Sequence, residues 1–276
     1  MRAEAADQAR TEGCFARLLL ATHGALVLLF LCLPIVVVIP MSFSSASSLE
    51  FPPPGLSLRW YGSFFSDGRW VAALANSALV ALASSAIALL LGAVAAYGLV
   101  RGRFRGRPLI EGTFIAPLVV PSVIVAVALY IAFARIGLLG TLAGLILGHT
   151  VLGVPYVVLV MSVAIRSFDP RIEQVAYSLG ASTLTMFRRV LLPNLLPSVF
   201  AAWIFAFITS FDEVIVTLFI AGRYDTVPKR MFNELVLQVN PTITAIATML
   251  IAVSAVAIAL IVWLLRRGGV WLQSPG

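Results

Sequence analysis

Six apolar stretches separated by short polar intervals dominate the chain, each near the roughly twenty residues a helix needs to cross a bilayer. Their approximate limits are Leu18–Met41, Leu74–Val100, Phe114–Ala134, Thr141–Ile165, Pro197–Ala221 and Thr242–Leu265. The fourth is the most interrupted, by His149, Gly153 and Pro155. The first follows Arg10 and Arg17, but its apolar run is too long for a secretory leader and no small-residue cleavage pattern follows, so it is expected to remain as the first helix. The pattern predicts an all-α, polytopic membrane bundle of about six transmembrane helices over residues 18–265, flanked by a segment 1–17 and a tail 266–276.

Three intervals carry structure of their own. Ser42–Trp70 contains Pro52-Pro53-Pro54-Gly55, which turns the chain and cannot continue the first helix. Thr226–Val239 offers an N-cap at Thr226, Pro228 in the first turn, and Met231, Phe232, Leu235, Val236 and Val239 on one face. The interval 166–196 is the most informative. Asp169 is a natural N-cap and Pro170 suits the first helical position. Ile172, Val175, Ala176 and Leu179 then recur at helical spacing, Gly180 supplies a left-handed stop, and Ser182 or Thr183 can cap a second short helix ending before Pro193. A helix this short needs its apolar face covered, by the inner ends of the bundle or by another protein.

Composition agrees with the pattern. Of the 276 residues 61% are hydrophobic and 11% charged, far from the balance of a soluble domain. The net charge is +7, and Lys229 is the single Lys beside 18 Arg. The Arg residues sit at the ends of apolar runs instead of along one polar face, which speaks against nucleic-acid binding. Counted on alternate sides, 13 basic residues fall with Arg101, Arg103, Arg105 and Arg107, and 6 on the other side with Arg59 and Lys229. The richer side is expected to be cytoplasmic, with both termini inside. Cys14 and Cys32, about 27 Å apart along a helix, predict no disulfide.

The 166–196 interval resembles the cytoplasmic loop of binding-protein-dependent ABC importer permeases, which carries Glu-Ala-Ala, three residues, Gly, nine residues, Ile-x-Leu-Pro. Here Gln174-Val175-Ala176 stands at the triplet, Gly180 at the glycine, and Val190, Leu192 and Pro193 at the close. The motif's Glu is replaced by Gln174, with Glu173 one residue earlier, and its first Ala by Val175. The stretches SFSSASSLEFPPPGLSLRWYGSFFSDGRW, RGRFRGRPLIEGTFIAPLVVPS, SFDEVIVTLFIAG and VPKRMFNELVLQVNPTITAIATMLI are similar to the second permease subunit of spermidine/putrescine-type systems, over roughly Leu26–Leu265. The resemblance implies a type I importer fold in a bacterial inner membrane, paired with a homologous second permease. It implies two further partners: an ATPase dimer that binds ATP and Mg in place of this chain, and a periplasmic or extracellular solute-binding protein. It places ATPase coupling on Glu173, Gln174, Ala176, Ser178, Leu179, Gly180, Ala181 and Ser182, and implies a polyamine cargo.

Asp212 and Glu213 lie inside the fifth segment, about 24 Å of helix beyond Pro197. Carboxylates at that depth are costly and should face a path or a partner, so they are candidates for attracting a cation, with an ion pair to Arg135 or Arg223 as the alternative. Trp203 and Phe211 on the same helix could line that path, or pack against protein or lipid. Trp60, Tyr61 and Trp70 are candidates for the membrane interface, Glu111 for a surface anchor. His23 and His149 are isolated and are expected to be satisfied structurally. No phosphate-binding glycine loop surrounds Lys229 and no nucleophile–base set is evident, so the chain is expected to be non-catalytic. The alternatives are an ion- or proton-coupled secondary carrier built on Asp212 or Glu213, a membrane scaffold, and an importer permease for another small solute.

Overall fold

The computed structural model describes residues 2–237 and 241–267, with side chains over 19–236 and 241–264; Val239 and the tail beyond Arg267 lie outside these. The regular elements among the described residues are helices: α1 (Arg2–Ser42), α2 (Arg59–Ser66), α3 (Gly68–Arg101), α4 (Arg107–Val119), α5 (Ser122–Arg135), α6 (Leu142–Ser167), α7 (Pro170–Ser178), α8 (Thr183–Met186), a π-helical turn (Phe187–Leu191), α9 (Leu192–Phe211), α10 (Ile215–Ile220), α11 (Val227–Leu237) and α12 (Thr242–Arg267). Five helical spans among them are long and apolar enough to cross a membrane, or six if the bent pair α4–α5 counts as one.

The chain divides into two compact units. The first holds residues up to Ser63 and the opening of α12. In it the Pro-rich stretch folds back as expected: Ser45 N–H donates to Gly55 O (2.9 Å) and Ser57 N–H to Phe43 O (2.7 Å). Trp60 Nε1 donates to Ser44 O (2.9 Å) and the Ser42 and Tyr61 hydroxyls are 2.8 Å apart, so both aromatic tips are used within the loop.

The second unit is built on α3, α6 and α9. Ser84, Ala88, Gly92 and Ala96 form a buried stripe on α3, and Ser198, Ala202, Ala206 and Ser210 a matching one on α9. Residues four apart share a helix face, and small ones let backbones approach closely. A Cβ on Gly92 would lie 2.7 Å from Val157 of α6, and one on Gly153 3.1 Å from Ala88. Asp67 caps α3 by accepting from Arg69 N–H (2.8 Å), and hydrogen bonding to Arg69 holds the Asp67 carboxyl below its usual range. The fourth span is unbroken despite its interruptions: α6 is capped by Thr141, which accepts from Gly144 N–H (3.0 Å).

Two expected spans are corrected. The third is not one straight helix: α4 and α5 meet at 107°. Pro121 has no N–H and forces Val120 into an extended conformation, which stops α4. The fifth is also broken, because α9 ends at Phe211 and α10 starts at Ile215. At its other end it starts earlier than expected. The second short helix does not stop before Pro193 but runs through the π turn into α9; the wider turn accommodates a residue that cannot donate to the carbonyl four back.

On the side of α3 away from Arg101, Lys229 Nζ donates to Gly222 O (2.8 Å) and Tyr224 O (3.1 Å) and pairs with Asp225 (2.9 Å). The loop 222–227 is drawn onto α3 by Asn76 Nδ2 donating to Asp225 O (3.0 Å) and Val227 N–H donating to Ser77 Oγ (2.8 Å). Gly222 there approaches Gly140, and a Cβ on it would lie 2.7 Å from Gly140 Cα. Trp70 is a correction: it is 3% exposed, beneath the Arg230 guanidinium (4.8 Å from the ring centroid), and is not an interface residue. The apolar face expected on α11 is turned outward at Phe232, Leu235 and Val236.

Candidate functional site

Local chemistry builds the loop after α6 as its sequence dictates. Asp169 accepts from Arg171 N–H (2.8 Å) and Pro170 opens α7. Gly180, at φ +85°, closes it. Ala181 N–H reaches Ala176 O (3.1 Å) and Gly180 N–H reaches Tyr177 O (2.9 Å), the paired bonds that satisfy a helix's last carbonyls. Ser182 then caps α8 by accepting from Thr185 N–H (3.2 Å).

The faces of α7 are the informative feature. Of the apolar set Ile172, Val175, Ala176 and Leu179, only Ala176 is buried, packed in the cluster with Ile165 and Met186. Leu179 is 83% exposed and Val175 57%, and Ile172 and Leu184 are exposed beside them. The residue turned inward is Glu173, 6% exposed. Arg101 Nε donates to its Oε1 (2.8 Å), Arg101 Nη2 lies 2.7 Å from the same oxygen, and Tyr97 Oη donates to Oε2 (3.3 Å). Arg101 Nη2 also donates to Phe168 O (2.9 Å). Gln174, Ser178, Gly180 and Ser182 are exposed and Ala181 is half-buried. The helix is held to the bundle by a carboxylate and offers its hydrocarbon outward. On the same end of the unit Glu111 pairs with Arg166 (3.2 Å).

The second region is the break between α9 and α10. Asp212 is exposed and Glu213 half-buried, and neither makes an ion pair among the described residues, with Arg135 and Arg223 included. Glu213 is already engaged: its Oε1 accepts from Val216 N–H (2.8 Å) and so caps α10. Trp203, Phe207 and Phe211 form a ladder on α9, with centroids 6.2 Å and then 5.6 Å apart. Trp203 and Phe207 line an apolar groove with Leu82, Val253, Val256 and Leu260, so Trp203 faces hydrocarbon, while Phe211 stands next to Asp212.

Beneath the break lies a polar chain centred on His149, which stands alone in the sequence but not in the fold. His149 is 1% exposed; its Nδ1 is 2.8 Å from Ser210 Oγ and its Nε2 2.9 Å from Thr217 Oγ1. Thr217 Oγ1 donates to Glu213 O (3.0 Å) and Ser84 Oγ to Ser210 Oγ (2.9 Å). The carbonyl at one end orders the hydrogens. Thr217 spends its own on Glu213 O and accepts from His149 Nε2–H, which leaves Nδ1 to accept from Ser210. Four helices are thereby tied at the point where the backbone is interrupted, as a broken helix in a membrane requires. His149→Leu is expected to strand the Ser210 hydroxyl at a cost of ~1–3 kcal/mol and lower the melting temperature in detergent by roughly 2–12 °C. Unchanged melting would show that the chain of bonds does not hold the break.

A family model described as "Binding-protein-dependent transport system inner membrane component" matches residues 88–268. The chain is similar to the spermidine/putrescine transport system permease protein PotC of Escherichia coli K12, with 30% identity over 243 residues, 88% of this chain and 92% of that one. It is similar to the putrescine transport system permease protein PotI of the same strain, with 34% identity over 244 residues, 86% of each chain. Its fold is similar to that of a chain in a bacterial ABC transporter involved in import of the acidic polysaccharide alginate. That match has a TM-score of 0.69 at 17% identity and covers 88% of this chain and 94% of that one.

Proposed function

This chain belongs to the family of binding-protein-dependent transport system inner membrane components, and from that premise we propose that its cargo is a polyamine such as spermidine or putrescine, carried into the cytoplasm. It is the multi-pass, non-catalytic permease subunit of an ABC importer, which leaves the secondary-carrier and scaffold alternatives without support. The observation that carries the polyamine reading is Asp212, an exposed carboxylate without an ion pair among the described residues, at the end of α9 in a chain akin to two polyamine permeases. A polyammonium ion loses hydration on entering a membrane path, and a fixed carboxylate offsets part of that cost.

Within this reading the loop 166–196 and both termini face the cytoplasm. An ATPase dimer, holding ATP and Mg, seats on the face formed by Ile172, Val175, Leu179 and Leu184, with Gln174, Ser178, Gly180, Ala181 and Ser182 around it. A homologous second permease completes the path, and a soluble binding protein delivers cargo from outside. ATP and the loaded binding protein favour one conformation of the bundle and release favours the other.

The test is uptake of labelled spermidine into vesicles holding the assembled transporter, with the binding protein outside and ATP inside. Spermidine is expected to be taken up and to be displaced by putrescine, but not by an anion of similar length. Uptake of the anion with none of spermidine would overturn the polyamine reading.

A further inference from the structure

We propose that Arg101 and Glu173 form a latch that hands movement of α7 to α3, making α3 the strut between the docking loop and the loop at its far end. The inference rests on the docking role of α7 given above. Its starting point is the inverted orientation of that helix. Apart from Ala176, the buried side chain of α7 is a carboxylate, and both of its oxygens are engaged by α3: Oε1 by Arg101 and Oε2 by Tyr97. Arg101 also holds Phe168 O, in the link between α6 and α7, so one guanidinium grips the docking helix and its entry together. A planar, two-pronged donor transmits direction as well as charge, which a lone ammonium does not.

From that latch α3 runs 34 residues, about 50 Å at 1.5 Å per residue. It is stiffened along its length by close packing on α6, through Gly92 against Val157 and Ala88 against Gly153, and is tied to α9 where Ser84 Oγ donates to Ser210 Oγ (2.9 Å). At its far end it is fastened again. Trp70 lies under Arg230, Asn76 holds Asp225 O and Ser77 holds Val227 N–H. The loop so fastened is the one Lys229 ties internally at Gly222 and Tyr224. One helix therefore carries a polar clamp at each end and tightly packed small residues between them. Tilting α7 would carry α3, together with the helices packed and hydrogen-bonded to it, and so shift the far loop.

The experiment uses the complete transporter in liposomes and reads ATP hydrolysis per assembled complex, with and without loaded binding protein outside. Arg101→Glu is expected to cut the ratio of stimulated to unstimulated hydrolysis by about 10-fold while the ATPase still co-purifies. The exchange Arg101→Glu with Glu173→Arg is expected to restore at least half of that ratio. A latch that merely stabilised the fold would change the yield of complex and leave the ratio alone. Full stimulation in Arg101→Glu overturns the strut. Should Arg101→Glu not assemble, Arg101→Lys and Glu173→Gln take its place, and full stimulation in both overturns it equally. A failure of the docking reading shows elsewhere, as ATPase still bound to a variant carrying a charge on the outer face of α7.

Discussion

Replacing Leu179 with aspartate is expected to abolish ATP-driven uptake and to weaken co-purification of the ATPase by about 100-fold, with the permease itself melting as before. Leu179 is 83% exposed and stands beside Gly180, whose left-handed backbone ends α7. Burying one leucine in a partner's groove contributes ~1.5–3 kcal/mol, or roughly 10- to 100-fold in affinity. A carboxylate in its place adds a desolvation cost on top of that loss. The fold should not notice, because the side chain hardly touches its own protein. Leu179→Met, which keeps the hydrocarbon, is the control and should retain most uptake. ATPase bound normally to Leu179→Asp would place the docking surface elsewhere.

That expectation depends on something the sequence could not supply: the direction in which α7 faces. Its limits were legible, because Asp169, Pro170, Gly180 and Ser182 act through their own backbone neighbours. Its apolar stripe was legible too, but a stripe says only that hydrocarbon must be covered, not by what. Glu173 resolved the ambiguity through Arg101, 72 residues away in the chain. The same division holds elsewhere. Six apolar spans followed from length and hydropathy, and the stop at Pro121 is local chemistry that the span count overrode. The break after Phe211 was hidden because Asp212 and Glu213 read as charges within a helix, when Glu213 caps the next one. His149 is structural, as an isolated buried histidine suggests, but its partners come from α9 and α10, and no local pattern links Ser84, Ser210 and Thr217. The small-residue stripes stand at four-residue spacing in the sequence, but only the partner helix shows that the spacing serves close packing.

Asp212→Asn is expected to lower spermidine uptake by about 10-fold or more at substrate levels below saturation, a loss of ~1.4 kcal/mol or more of interaction. The carboxylate stands at the C-terminal end of α9, where the helix dipole contributes about half a negative charge to the same spot. Two unit charges about 4 Å apart at an effective dielectric near 20 attract by ~4 kcal/mol, and the exposure of Asp212 screens part of this. Asparagine keeps the shape, and the backbone N–H of residue 212 still donates to Ile208 O, so assembly should be unchanged. Spermidine carries one more positive charge than putrescine and should lose more. Glu213→Gln should lose less, because its remaining carbonyl oxygen can still accept from Val216 N–H and the capping role survives. If Glu213→Gln proves the more damaging, the cation meets Glu213 instead. Unchanged uptake in Asp212→Asn would remove Asp212 from the path and leave the polyamine reading on family likeness alone.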